Sequence, residues 1–186
     1  MADSMRLFIG FAMPEDLRHC VAGLAGEARS RLAGWRWVVP ENYHLTARFL
    51  GEVPAADLAG WREALGVVAA AHPPFSLTVS GWGVFPDARR ARVLWLGIRE
   101  PEERPLSRLV RDVAALPPLS QETRSFRPHL TLARAQAEIA EAPTWQQEPT
   151  MCATPWPIDE LLLYQSSMRP EGVRYRVLHR AQLAAG

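Results

Sequence analysis

Lysine is missing altogether from this chain of 186 residues: all 21 basic residues are arginine. Abundant alanine beside it points to the codon bias of a GC-rich genome, although an arginine fork also suits phosphate oxygens better than an ammonium point charge. Excess charge is missing as well. The formal net charge is +1, which argues against a protein that grips long duplexes by neutralising many phosphates and leaves room for a local phosphate pocket. Cysteine is scarce: Cys20 and Cys152 are far apart, with no Cys-x-x-Cys spacing. Such a pair predicts buried thiols in a reducing compartment rather than a disulfide scaffold. No apolar run approaches the length of a membrane span, and Met1-Ala2-Asp3-Ser4-Met5 lacks the charged-then-apolar layout of a secretory signal. A cytoplasmic protein with no membrane attachment is expected. Metal-binding patterns are absent too, with no His-Glu-x-x-His, no paired cysteines and no carboxylate-rich run. Neither is there a glycine-rich loop of the nucleoside triphosphate type. No metal and no cofactor are expected.

What is present describes a folded protein. Hydrophobic residues make up 48% and charged residues 22%, both near the globular average, so disorder is not expected. The length suits one domain over residues 1–186, or two small lobes sharing a core. Apolar runs predict strands over 6–13, 35–39 and 43–50, with Pro40-Glu41-Asn42 as a turn between the last two. Leu17, Cys20, Val21, Leu24, Ala28 and Leu32 recur at helical spacing, with Pro14 at the entry and Gly34 past the end. A second helix is predicted near 55–71 and stopped by His72-Pro73-Pro74; a third carries Leu106, Leu109, Val110 and Val113 and ends at Pro117-Pro118. Strands are predicted over 75–80 and 92–98, flanking a connection through Gly81-Trp82-Gly83-Val84-Phe85-Pro86, and again over 126–133. After a loose, proline-containing stretch, strands over 158–166 and 173–178 are joined by a hairpin at Met168-Arg169-Pro170-Glu171-Gly172. Antiparallel pairing within a mixed α+β fold follows.

One motif occurs twice. His44-Leu45-Thr46 returns 85 residues later as His129-Leu130-Thr131, each copy at the start of a predicted strand and each followed by arginine, Arg48 and Arg134. Residues two apart on a strand point to one face, so each motif offers an imidazole and a hydroxyl to one side and sends its leucine into an apolar layer. Seven threonines in 186 residues give any histidine roughly a 4% chance of threonine two places on. Two such matches among five histidines then arise by accident in roughly 1–2% of chains. His19, His72 and His179 lack this company and are expected to be structural or exposed.

Two imidazoles and two hydroxyls suit one reaction class. Opening a cyclic phosphate requires a base to take a proton from water and an acid to protonate the leaving ribose oxygen. Histidine, with an unperturbed pKa of about 6.5, serves either role near neutrality. Threonine hydroxyls can donate to the non-bridging oxygens that hold the charge.

With these residues the chain resembles the 2H phosphoesterases, and within them the bacterial and archaeal RNA 2′,3′-cyclic phosphodiesterases of the LigT type, formerly called 2′-5′ RNA ligases. The likeness runs nearly end to end. It rests on Arg6-Leu7-Phe8-Ile9, on Tyr43-His44-Leu45-Thr46-Ala47-Arg48-Phe49-Leu50-Gly51, on Gly83-Val84-Phe85-Pro86, on Phe126-Arg127-Pro128-His129-Leu130-Thr131-Leu132-Ala133-Arg134 and on Pro170-Glu171-Gly172. The resemblance implies a bilobal fold with pseudo-twofold symmetry, antiparallel sheets around a central cleft and helices outside. It also implies metal-independent hydrolysis of RNA or small-nucleotide 2′,3′-cyclic phosphate to a 2′-phosphate by His44 and His129, with 2′-5′ RNA joining as a second activity open to the family. A monomer is expected.

The first motif departs from the family pattern at Ala47, where leucine is usual; alternation places that position in the apolar layer. Thr46 and Thr131 are the expected phosphate donors. Arg134 matches the family's phosphate-contacting arginine, yet strict alternation from His129 puts it on the opposite face, so a bulge or the strand's end must turn it back, or it serves structure. Arg48 has the parity of His44 but is equally readable as a structural or solvated charge. Trp37, Tyr43, Phe49 and Trp82 are the aromatic candidates for a nucleobase, most of them expected in the core. Two competing readings keep the fold: a nucleotide-binding module without turnover, disfavoured by the presence of both His-x-Thr pairs, and an enzyme acting on a cyclic phosphate of a small ADP-ribose derivative.

Overall fold

The computed structural model describes residues 4–117, 125–139, 152–170 and 172–184. Met1, Ala2, Asp3, Pro118, Glu171 and most of the proline-containing stretch lie outside them.

Among the described residues nine strands form two sheets. The first has the order β3-β1-β8-β9, from β1 (Ser4–Ala12), β3 (His44–Pro54), β8 (Glu160–Arg169) and β9 (Gly172–Gln182). The second has the order β2-β6-β5-β4-β7, from β2 (Trp35–Trp37), β4 (Phe75–Phe85), β5 (Ala91–Arg99), β6 (His129–Ile139) and β7 (Trp156–Ile158). Every pairing described in both is antiparallel. The helices α1 (Glu15–Arg31), α2 (Leu58–Ala70) and α3 (Pro105–Ala114) complete the mixed α+β fold.

The helices form where local chemistry favours them. Glu15 and Asp16 lie in the first turn of α1 and Arg29 and Arg31 in the last, complementing the helix dipole at both ends. Pro105 opens α3, where its fixed φ costs nothing. Each helix buries one stripe against the sheets. Leu17 and Val21 of α1, Trp61 and Leu65 of α2, and Leu106 and Leu109 of α3 share one core with Leu7, Ile9 and Phe11 of β1 and Leu96 of β5. The leucines of the two motifs, Leu45 and Leu130, sit in that same core at 1% and 0% exposure, so each is the anchor that alternation predicted.

Three features differ from the sequence reading. The stretch Gly81–Phe85, expected as a connection between strands, is part of β4, whose pairing with β5 continues to Phe85↔Val93 across a register shift. The proline-containing stretch ends in β7, a short edge strand on β4. Finally, Cys20 and Cys152 are not free thiols but a disulfide that ties α1 to the segment leading into β7 across 132 residues. Spacing along the chain could not reveal that the fold brings the two within bonding distance.

Candidate active site

β3 of the first sheet and β6 of the second approach each other, which brings the two motifs together. His44 and His129 open these strands. In each, Nδ1 donates to the carbonyl two residues upstream, Asn42 for His44 at 2.7 Å and Arg127 for His129 at 2.7 Å. That bond fixes the tautomer with the proton on Nδ1 and leaves both Nε2 atoms available to a substrate.

Aromatic rings hold the imidazoles in place. Phe8 lies 4.8 Å from His44 and stacks on Tyr164, while Tyr175 meets His44 edge-on at 4.8 Å. Across the cleft Phe85 meets His129 edge-on at 4.9 Å, with Trp95 behind it. Trp95 lies so flat over Gly83 that a Cβ there would come within 2.1 Å of the indole. This close approach explains why glycine stands in the Gly83-Val84-Phe85-Pro86 stretch.

Both imidazoles are held below the ordinary histidine pKa. For His44 burial is the largest cause, the Asn42 carbonyl opposes it, and the charges of His129 and Arg134 lower it further. For His129 burial again leads, opposed by the Arg127 carbonyl and assisted by Arg134. Arg134 therefore acts on both histidines, and it acts on Tyr175 as well.

Strict alternation would place Arg134 on the core side. A β-bulge turns it back. On β5, Trp95 pairs with Thr131 but Leu94 pairs with Ala133, so Leu132 is the extra residue. Leu132 and Ala133 are consequently both buried, and Arg134 is exposed on the face of His129. The first motif has the same device at the same place. Gly10 pairs with Thr46 but Ile9 with Arg48, so Ala47 is the extra residue. Here the bulge turns Arg48 into the core, where it is 5% exposed, donates to the carbonyls of Val113 and Leu116 at 3.0 and 2.7 Å, and lies over Trp61. Its parity with His44 is thereby broken, and its place is structural.

Phe49, next after Arg48, faces the cleft. It pairs with Phe8, is 56% exposed, and lies 5.9 Å from the Phe8 ring. Of the other aromatic candidates Tyr43 is buried, and Trp37 and Trp82 pack partly buried against the core. Ala47, 9% exposed, lies in the apolar layer as expected. His72, buried, pairs with Asp112 at 2.9 Å; His19 is held by the Glu15 carbonyl on α1, and His179 is half-buried on β9. Among the described residues no cluster of three or more His, Cys, Asp or Glu could hold a metal ion, and no helix is long and apolar enough to cross a membrane.

Two antiparallel sheets that each bring a His-x-Thr strand to a common cleft are the arrangement of the 2H phosphoesterases. A family profile described as LigT like Phosphoesterase matches residues 11–95. The RNA 2′,3′-cyclic phosphodiesterase of Escherichia coli K12 is 33% identical over 97% of this chain and 97% of its own length. That of Geobacillus stearothermophilus is 35% identical over 87% of this chain, which spans 52% of that protein. TT0787 of Thermus thermophilus has a similar structure, with a TM-score of 0.82 at 30% identity over 96% of this chain and 98% of that one. Escherichia coli LigT complexed with 3′-AMP gives 0.74 at 30% identity over 99% of this chain and all of that one. The chain belongs to the LigT-like RNA 2′,3′-cyclic phosphodiesterase family.

Proposed function

We propose that the cleft hydrolyses the 2′,3′-cyclic phosphate of an RNA end or small nucleotide to a 2′-phosphate, without a metal. The observation that carries this reading is the matched pair of imidazoles, each tied through Nδ1 to a backbone carbonyl with Nε2 left for a substrate, and both lowered in pKa by the charge of the same arginine. Water attacks phosphorus from the His129 side, and His129 takes its proton. The bond from phosphorus to the 3′ oxygen breaks, and His44 gives its proton to that oxygen. Thr46 and Thr131 donate to the non-bridging oxygens, and Arg134 faces their charge. Phe49 offers a ring to the base. With a 5′ hydroxyl in place of water as the nucleophile, the same groups would break the same bond and join a 2′-5′ linkage.

The continuous core supports a single two-lobed unit over residues 1–186, and because one chain carries both motifs a monomer suffices. The similarity to a LigT structure complexed with 3′-AMP supports a nucleotide as the ligand class.

Turnover of adenosine 2′,3′-cyclic phosphate tests the reading against a binding module. Wild type should convert it, while His44→Ala and His129→Ala bind without converting. Binding with no turnover in wild type would assign the cleft to recognition alone.

A further inference from the structure

Beside Arg134 stands a second arginine that the reaction does not use. β2 pairs with β6 in the register Trp35↔Ala135, Arg36↔Arg134, Trp37↔Ala133, so Arg36 and Arg134 project from directly opposed positions on one face. Both are exposed. Like charges in directly opposed positions of a sheet destabilise the pairing. Neither guanidinium is offset: among the described residues no carboxylate makes an ion pair or hydrogen bond with either.

Nor can Arg36 be carried away by a loose strand. The Val38 amide donates to the Leu132 carbonyl at 2.8 Å and the Gln136 amide to the Gly34 carbonyl at 2.9 Å, extending the ladder at both ends of β2. Trp35 and Trp37 lie on the other face and pack with Leu94 and Ala133. A charge on a short edge strand discourages pairing with other chains, but an acidic residue would do that and also attract Arg134. Two exposed arginines held at opposed positions of one ladder, with no carboxylate partner among the described residues, are a binding place for a second anion.

We propose that Arg36 binds the phosphate on the 5′ side of the terminal nucleoside while the cyclic phosphate lies between the histidines, making Arg36 a specificity-determining residue for RNA ends. This rests on the cyclic-phosphate reading above. Arg134 marks the edge of the reacting site, because it acts on both histidines. Arg36 lies beyond it on the outer strand of the sheet. In a single strand ending in a cyclic phosphate, the next anion is the phosphodiester one nucleoside upstream. A nucleoside cyclic phosphate has no such group.

The test compares adenosine 2′,3′-cyclic phosphate, its 5′-phosphorylated form, and the dinucleotide ApA ending in a cyclic phosphate. Wild type and Arg36→Gln are assayed on all three across a range of salt, with Arg36→Lys as the charge-retaining control and thermal midpoints to verify folding. The inference expects Arg36→Gln to lose about five- to tenfold in kcat/KM on the two substrates with an upstream phosphate and less than about twofold on the nucleoside. The slope of log kcat/KM against log salt for the dinucleotide should flatten by about 0.7, the value for one phosphate contact on a single strand. Arg36→Lys should keep most of the rate. A loss restricted to the dinucleotide assigns Arg36 to a phosphodiester; a loss shared by the 5′-phosphorylated nucleotide assigns it to any upstream phosphate. Equal loss on all three substrates, or no loss on any, overturns the Arg36 assignment while leaving the cyclic-phosphate reading intact. Failure of wild type to open any of the three overturns that reading and this inference with it.

Discussion

Phe49 and Arg134 occupy the same place in the two halves of the molecule: each stands five residues beyond its motif histidine, two beyond a bulged residue, and faces the cleft. The chain has thus duplicated a backbone device and put different chemistry on it. A flat apolar ring flanks His44, and a cation flanks His129. A cyclic nucleotide is itself unequal, with a base at one end and an anion at the other, so an asymmetric cleft can bind it one way round.

Phe49→Ala should weaken this binding. Removing an aromatic that stacks on a base costs about 1–3 kcal/mol, roughly 5- to 150-fold. The loss should fall mainly on KM for cyclic nucleotides, be restored by Phe49→Trp, and vanish for a phosphodiester without a base. Equal loss on the base-free substrate would make Phe49 a support for Phe8 instead.

Arg48→Met and Arg134→Gln should separate stability from chemistry. Arg48 is buried, and its removal leaves the Val113 and Leu116 carbonyls without their donor. A loss of about 2–4 kcal/mol in denaturant unfolding is expected, with kcat/KM near wild type in the folded protein. Exposed Arg134 should show the reverse, with stability unchanged and kcat/KM down by roughly 10²-fold or more. Activity loss in folded Arg48→Met would contradict this division.

The pH dependence has a defined sign. One imidazole must be neutral and the other protonated, so kcat/KM should trace a bell whose limbs belong to the pair. Burial and Arg134 favour the neutral imidazoles, which moves both limbs of the free enzyme to lower pH than ordinary histidines would give. Removing the Arg134 cation stabilises the imidazolium form. In Arg134→Gln both limbs should therefore move to higher pH. A downward shift, or a flat profile across the histidine range, would contradict paired histidine catalysis.

Single replacement of either histidine by alanine should cost roughly 10²–10⁴-fold, the usual scale for one acid or base. The double replacement should cost less than the product, because the two act as a unit. Thr46→Val and Thr131→Val should each cost roughly 10²-fold. His19→Ala and His179→Ala should stay near wild type, and His72→Ala should affect stability through its Asp112 partner. Comparable losses at His19 would place the site elsewhere.

Much of this was legible in the sequence. The repeated His-Leu-Thr, the helical spacing of α1 and α3 and the β8–β9 hairpin are local patterns, and the folded chain keeps them. Alternation alone misdirects Arg48 and Arg134, because it counts residues and a bulge adds one; for Arg134 the family resemblance already called for a bulge or a strand end, whereas for Arg48 nothing did. The bulge falls at the same step after each histidine, at Ala47 and Leu132, and reverses both arginines. Arg36 gave no signal of its own, since its meaning comes from standing opposite Arg134 on another strand. The Cys20–Cys152 bond was likewise invisible, being a contact across 132 residues.

The most direct test of the central claim is the position of the phosphate in the product. Enzyme treated with EDTA is incubated with adenosine 2′,3′-cyclic phosphate in water enriched in oxygen-18, and the products are resolved by phosphorus NMR against 2′- and 3′-monophosphate standards. Paired histidines acting on a substrate held one way round predict undiminished turnover to 2′-AMP alone, with one oxygen-18 on phosphorus. A mixture of isomers, 3′-AMP alone, or turnover that returns only when a divalent ion is restored would contradict it.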